Sequence, residues 1–555
     1  MAEPGVRPAR VKSSMLWSAW ADALGWISEL TTPANLRRRT KGRDLTEPFG
    51  WHRQIGGRMG VRVSLPEGCY SDDTQLRLAT ARSISSSGFD VEAFARVELP
   101  VWQAYALGGG RASKAAANAM SKHSANWATN FYKGWESAGG NGAAMRIQPH
   151  VYAAANLMSF RHLDDVIKNS IVTHGHPNGI AGAVFHAVTL TFALEFGSIP
   201  EPNEWPKLLG VIRDAVGVFY NTPELAAYWM PQWESVSGEE FRTAWHRAVD
   251  DIQRLLDYCI EPYYSLKSAG GNFGVAKKAY EPLVAALGLD QEQTRGSGVA
   301  TAIAGLVLAS AYPERPAQAA RLAASRLATD TDTIATMAAA LVGAVSPTEL
   351  PSPLLDAEYI SDEAERLARI SEDEPVKAFP YPDLLRWAPP KTGLDSVGIA
   401  DGGLAVAGLG WVQPVGDSYS SGAGNWQWMK STFGPTMLLK HRSEPPALPQ
   451  GNWPNDRRLR QQVRSQGVSE SKGSSSARIS TDFAQLAIGD SDGGQSKPTD
   501  PRIELEVILN WLKKRQYVDR DLGYAFRRVV ESGTDEQLSQ FTREVARALR
   551  PSKEQ

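Results

Sequence analysis

From residue 334 to residue 345 the chain reads Ile-Ala-Thr-Met-Ala-Ala-Ala-Leu-Val-Gly-Ala-Val, a run of mostly small, apolar side chains. Val299 to Tyr312 has the same character. Neither run has a polar face, so both predict helices buried on all sides. Both are too short and too rich in Ala and Gly to span a bilayer. Helical periodicity is also read at 13–30, 179–196, 203–220, 239–261, 297–311 and 316–327, while alternating β-branched runs are scarce. The expected fold is all-α, a compact orthogonal bundle with its loops gathered at one end.

What precedes the 334–345 run is chemically specific. Thr329-Asp330-Thr331-Asp332-Thr333 places carboxylates two apart with hydroxyls around them. A matching segment lies far upstream, where Ser71-Asp72-Asp73-Thr74 stands between the loop-like 65–70 and a helical run starting at Gln75. Ser and Asp are favoured helix N-caps, and acids in a first turn complement the helix dipole. Hard cations such as Mg²⁺ also take oxygen ligands of this kind. Two acidic, hydroxyl-rich helix starts would suit a two-cation site if the fold joined them.

Other segments fall in order between and around this pair: Asp22-Ala23-Leu24-Gly25 with Glu29, Gly140-Asn141-Gly142 running on to Arg146, and Thr173-His174. Together, over about residues 14–346, they resemble the ADP-ribosylglycohydrolase family. The resemblance implies the orthogonal helical bundle of that family and two Mg²⁺ ions, with Mn²⁺ as the alternative ion. The implied ligands are Ser71, Asp72, Asp73, Asp330, Asp332 and Thr333. It further implies catalytic roles for Asp72, Asp73, Asp332 and Glu29, the last as a mobile acid. Gly108-Gly109-Gly110, Asn141, Gly142 and His174 would contact the ADP-ribose. Ala21 stands where the family usually has Gly, and Ser71 where it often has Thr.

On their own residues these segments admit plainer readings. Gly108–Gly110 precede a helix-like run and let backbone N–H groups approach an anion, or form an ordinary turn. Arg146 suits a phosphate or a buried structural pairing, the latter being favoured. The basic cluster Arg37-Arg38-Arg39, Lys41 and Arg43 suits a solvated loop. His174 and His176 have no cysteine or third histidine nearby, which argues against zinc.

The net charge is −2 and the pI about 6.5, so no overall field draws in nucleic acid or an anionic membrane. Two cysteines exclude a disulfide framework, and with no signal-like apolar core in residues 1–12 the expectation is a soluble cytoplasmic protein. The expected domains are a flexible tail (1–12), a catalytic domain (13–347), a connector (348–395) and a C-terminal α+β or irregular domain (396–555). The Ser-rich stretch near 465–480 is expected to be mobile. Residues 1–395 would then keep every motif together.

The function these features predict is a Mg²⁺-dependent ADP-ribosyl hydrolase acting on a modified protein or small molecule, with water attacking the anomeric carbon. Two alternatives stand: an inactive ADP-ribose-binding or structural protein on the same fold, and a nucleic-acid-directed hydrolase or defence component. The second would use the C-terminal aromatics beside Lys430, Lys440, His441 and Arg442.

Overall fold

The helix Val6–Ser28 and the helix Thr331–Val345 cross antiparallel at the centre of the fold. Two glycines permit the approach. A Cβ on Gly25 would lie 2.5 Å from the Cα of Asp332, and one on Gly343 would lie 2.9 Å from Ser13 O. The computed structural model describes residues 6–122, 125–455, 505–514, 517, 519–532 and 534–549. The helices Pro177–Phe196 and Gly298–Ala311 complete the buried centre. Gly182 lets the first meet the start of the second, where its Cβ would stand 2.3 Å from Gly298 C. Pro177–Phe196 is long and apolar enough to cross a membrane, and 83% of its apolar window is buried inside the protein. It is longer than either apolar run singled out in the sequence.

Several boundaries depart from expectation. The first helix begins at Val6, so residues 6–12 are helix and not tail. Ser13 and Ser14 lie inside it, and Ser14 Oγ donates to Ala340 O at 2.6 Å. The helix Phe241–Ala269 outruns the expected 239–261, and the helix Phe273–Leu287 was not anticipated. A further helical stretch runs over residues 91–102, with a π-turn at Phe94–Glu98. The antiparallel hairpin Trp51–Ile55/Val61–Leu65 fills a stretch read only as basic loop and turns. In the helix Pro33–Thr40 nearby, Arg39 stacks over Trp51 at 5.0 Å.

After residue 347 the chain wraps back. The helix Ala357–Ser371 buries Ile360, Leu367 and Ile370, and packs on Val6–Ser28. A five-stranded antiparallel meander follows in sequence order: Val397–Ala400, Gly403–Val406, Gly410–Ser421, Gly424–Ser431 and Thr436–His441. Its first hairpin turns on Asp401-Gly402, both at positive φ (48° and 80°), the primed geometry this dipeptide favours. This sheet does not start a separate domain at 396. Residues 388–461 belong to the same compact unit as 1–382. Trp426, Trp428 and Leu438 share one apolar core with Trp51, Val63 and Leu65 of the hairpin and with Trp26 and Ile27. Trp428 Nε1 donates to Ser64 O at 3.0 Å, and Ser421 Oγ to Met59 O at 2.7 Å. The C-terminal basic and aromatic residues are engaged within the unit: Lys440 lies 4.8 Å over Trp426, and Arg442 pairs with Asp395 at 2.7 Å.

The described residues of the second unit are 383–387 and those from 505 to 549. Its helices Leu505–Lys514, Asp519–Ser532 and Asp535–Leu549 share a small core that includes Ile508, Leu512, Val529 and Phe541. The 465–480 stretch lies outside the described residues.

A chain ending at residue 395 therefore loses the cover over Trp51, Val63 and Leu65, and is expected to aggregate. One ending at 461 should stay soluble and melt cooperatively. Size-exclusion chromatography and thermal denaturation of the two truncations check this.

Among the described residues, His150, His162, His174 and His186 are buried in the helical body without a carboxylate partner. Burial pushes His150 down to about 3, His162 to about 4 and His186 to about 3. Each stays neutral in the fold while its unfolded counterpart gains a proton below about 6.5. Their contribution is complete above that pH and is lost as pH falls toward the folded values. In urea titrations between pH 6.5 and pH 4.5, wild type should lose about 1.4 kcal/mol per pH unit more than His186→Gln. Parallel slopes would show that His186 is not the group responsible.

Candidate functional site

Ser71 N-caps the helix Asp72–Arg82, its Oγ accepting from Asp73 N–H at 3.2 Å. The capping reading of the quartet is thus correct as local structure. What orients this helix start is Asp22, buried on Val6–Ser28. Its Oδ1 accepts Ser71 N–H (3.0 Å); its Oδ2 accepts Thr74 N–H (3.0 Å) and Thr74 Oγ1–H (2.6 Å). Asp72 is held from the other side by Gly109 N–H, 2.7 Å from its Oδ1. Gly108 is at φ +119°, and a Cβ there would sit 2.3 Å from the same oxygen. Gly108 and Gly109 therefore serve the Asp72 carboxylate directly, and the Gly109 N–H is not presented to an anion. Gly110, just before the helix Arg111–Met120, has open space around it.

The second acidic segment arrives through the Gly25 crossing. Thr331 Oγ1 donates to Gly25 O at 2.8 Å, fixing Asp330 and Asp332 at the end of the first helix. Asp332 and Thr333 are buried, and Thr333 N–H donates to Asp332 Oδ1 at 3.0 Å. Asn141 Nδ2 donates to Asp330 Oδ2 at 2.9 Å. Asn141 is itself placed by backbone pairing to 296–298, including its N–H to Gly296 O at 2.9 Å. Glu29 follows the helix end. Its carboxylate pairs with Arg53 of the hairpin at 3.1 Å, and Arg53 lies 4.9 Å over Trp26.

Glu29, Asp72, Asp73, Asp330 and Asp332 thus form one electrostatic neighbourhood drawn from three distant parts of the chain. Burial, then Glu29 and Asp22, pushes Asp72 up to about 7. Burial, with Asp22, Asp72 and Asp330, holds Asp73 well above the carboxylate range, and burial with Glu29, Asp73 and Asp330 does the same to Asp332. Glu29 is raised mainly by burial and by Asp330, although Arg53 opposes this.

Gly142 packs between His174 and Ser113, where a Cβ would stand 3.0 Å from His174 Cε1 and 3.1 Å from Ser113 Oγ. His174 is buried, with Thr173 Oγ1 2.7 Å from its Nδ1. So Asn141, Gly142 and His174 do come together beside the acids. Arg146 is structural: it donates to Gly142 O, to Asn169 O and Oδ1, and to Thr173 Oγ1 at 2.6–2.9 Å, with no carboxylate or open space. His176 caps the next helix, its Nδ1 accepting from Asn178 N–H at 3.1 Å.

A family model described as ADP-ribosylglycohydrolase matches residues 3–378. The chain belongs to that family. The match extends past the expected 346 to include the helix Ala357–Ser371 and stops before the sheet. No curated protein matches the chain. Among solved structures it is similar to one titled "ADP-ribosylglycohydrolase-related protein complex", at 20% identity and a TM-score of 0.41, covering 66% of this chain and 99% of that one.

The family implies a metal centre, and the donor set suits one. The cluster offers only oxygen, as Mg²⁺ prefers. Asp73 Oδ2 is buried with no hydrogen-bond partner, and Asp22, Asp72 and Asp330 raise the pKa of Asp73 although Arg77 opposes them. As they stand, no group of three or more His, Cys, Asp or Glu side chains among the described residues is close enough to hold a metal ion.

Asp22 and Arg53 escaped the site list drawn from sequence. A signal for Asp22 was present: an acid set between Trp20-Ala21 and Ala23-Leu24 in a helix with few polar neighbours has to be hydrogen-bonded if buried. Arg53 gave none, because its strand was not foreseen. Asp22→Ala would leave two backbone N–H groups and a hydroxyl of this family's first acidic segment unpaired. It should cost about 3–5 kcal/mol in chemical denaturation. A loss below about 1 kcal/mol would mean that Asp22 does not anchor the helix.

Proposed function

We propose that this protein is a Mg²⁺-dependent ADP-ribosyl hydrolase that removes ADP-ribose from a modified protein or small molecule. The observation that carries the reading is the gathering of five acids of oxygen chemistry from three chain segments, which raise one another's pKa although Arg53 and Arg77 stand near them. A fold maintains such a cluster at a cost in stability, which points to a use.

In this reading Asp72, Asp73, Asp330 and Asp332, with the hydroxyls of Ser71 and Thr333, hold two ions, with Mn²⁺ as the alternative. Bound there, the ions supply Lewis acidity and offset the acids' mutual repulsion. Asn141 keeps Asp330 in place. Gly110, Gly142 and His174 border the space for the ADP-ribose, and Gly142, lacking a side chain, lets His174 and Ser113 lie close against its backbone. Water oxygen bonds to the anomeric carbon as the bond from that carbon to the acceptor atom breaks. A carboxylate of the cluster, Glu29 or an aspartate, accepts the water proton, and that proton passes on to the departing acceptor atom. Arg53 sets where the Glu29 carboxylate rests.

The test is Asp332→Ala assayed for release of free ADP-ribose from ADP-ribosylated arginine, serine and nucleic-acid substrates. Turnover should fall by about a hundredfold or more, and Mg²⁺ should raise the melting temperature of wild type but not of the variant. Near-wild-type turnover by Asp332→Ala in Mg²⁺ would overturn the two-cation reading.

A further inference from the structure

A cavity of about 670 Å³ lies away from the acids, between the helix Ala357–Ser371, residues 377–380 and the sheet. Apart from Arg82, every lining residue comes from chain after residue 355. None of the proposed metal or ADP-ribose residues takes part. We propose that this cavity is a second ligand site, for a nucleoside monophosphate.

The wall is aromatic. Tyr359, Phe379 and Phe433 are half-buried there, with Trp411 beside them. Glycines hold the rings back from the cavity space. Tyr359 lies on Gly434, where a Cβ would be 2.1 Å from its ring, and Phe433 on Gly410, where it would be 2.5 Å away. Phe379 and Phe433 meet edge to face at 5.7 Å. Such a wall suits a planar base.

The rim is of mixed charge. Glu358 and Asp362 stand one turn apart on the helix, are exposed, and make no ion pair among the described residues. Their carboxylates suit the hydroxyl donors of a ribose. Lys430 reaches the rim from the sheet, 53% exposed and 3.8 Å from Asp356. Its amine suits a phosphate. Arg82 on the floor is not a free anion site, because both Glu98 oxygens take its guanidinium at 2.7 and 2.8 Å. Base, ribose and phosphate in one molecule thus meet the three chemistries present, whereas a bare cation or anion meets one and is repelled by another.

The cavity is also joined to the acidic helix at both ends. Asp356, a non-glycine residue at φ +57°, accepts Tyr70 O–H at 3.0 Å and Thr436 N–H at 2.9 Å. Tyr70 immediately precedes Ser71, and Arg82 ends the helix that Asp72 begins. Strain of this kind is kept where surrounding structure demands it.

The test is calorimetric titration of the full chain with adenosine monophosphate, adenosine and inorganic phosphate. The monophosphate should bind, phosphate alone should not, and Lys430→Ala should weaken the monophosphate about tenfold while leaving adenosine unchanged. Asp362→Asn should weaken both nucleoside ligands. Both substitutions are at exposed side chains, and unchanged thermal melts confirm folding. The proposal is overturned if the monophosphate gives no binding at millimolar concentration. It is equally overturned if phosphate binds as tightly, or if neither substitution alters monophosphate binding, which would place that ligand among the acids instead.

Discussion

The buried carboxylate of Asp22 is the contact on which the rest of the acidic centre depends. It takes two backbone N–H groups and a hydroxyl from the start of the helix Asp72–Arg82. These donors would otherwise be orphaned at a buried helix N-terminus. The first helix thereby fixes where Asp72 and Asp73 point, and burial adds to the strength of the hydrogen bonds that do it. The same helix carries Gly25, whose missing side chain brings Asp330 and Asp332 alongside. One helix, through one acid and one glycine, gathers both acidic segments.

That gathering works against folding unless something offsets it. Like charges in a dry setting raise one another's pKa, and Asp72, Asp73 and Asp332 all show this. The surrounding structure gives three of the acids a partner: Gly109 N–H to Asp72, Asn141 to Asp330, Arg53 to Glu29. Each partner leaves at least part of its carboxylate uncommitted, and Asp73 Oδ2 has no partner at all.

The sheet beyond the family match enters this arrangement from behind. Its Trp426 and Trp428 cover the hairpin that carries Arg53, and Arg53 in turn meets Glu29. Gly56, at φ +83°, has no room for a side chain against Trp426. The family body and its extension are therefore one packed object at this face, and the sheet is structural support for an acid far from it in sequence.

Much of this was legible in the residues. The all-apolar runs at 299–312 and 334–345 had to be buried helices, because no polar face was available to meet water. The paired acid-hydroxyl helix starts and the order of the intervening motifs pointed to the ADP-ribosylglycohydrolase family and to its orthogonal bundle, and the family match bears this out. The apolar residues Ile360, Leu367 and Ile370 of the connector also marked a helix able to cover the bundle. Only the tertiary structure decided that the sheet joins the first unit, that Gly108 and Gly109 attend Asp72, and that Arg53 meets Glu29. Those outcomes rest on contacts between residues tens to hundreds of positions apart. Local propensity and periodicity describe neighbours within a few turns, so the sequence alone set which segments would be helical and acidic, while long-range packing set which of them would meet.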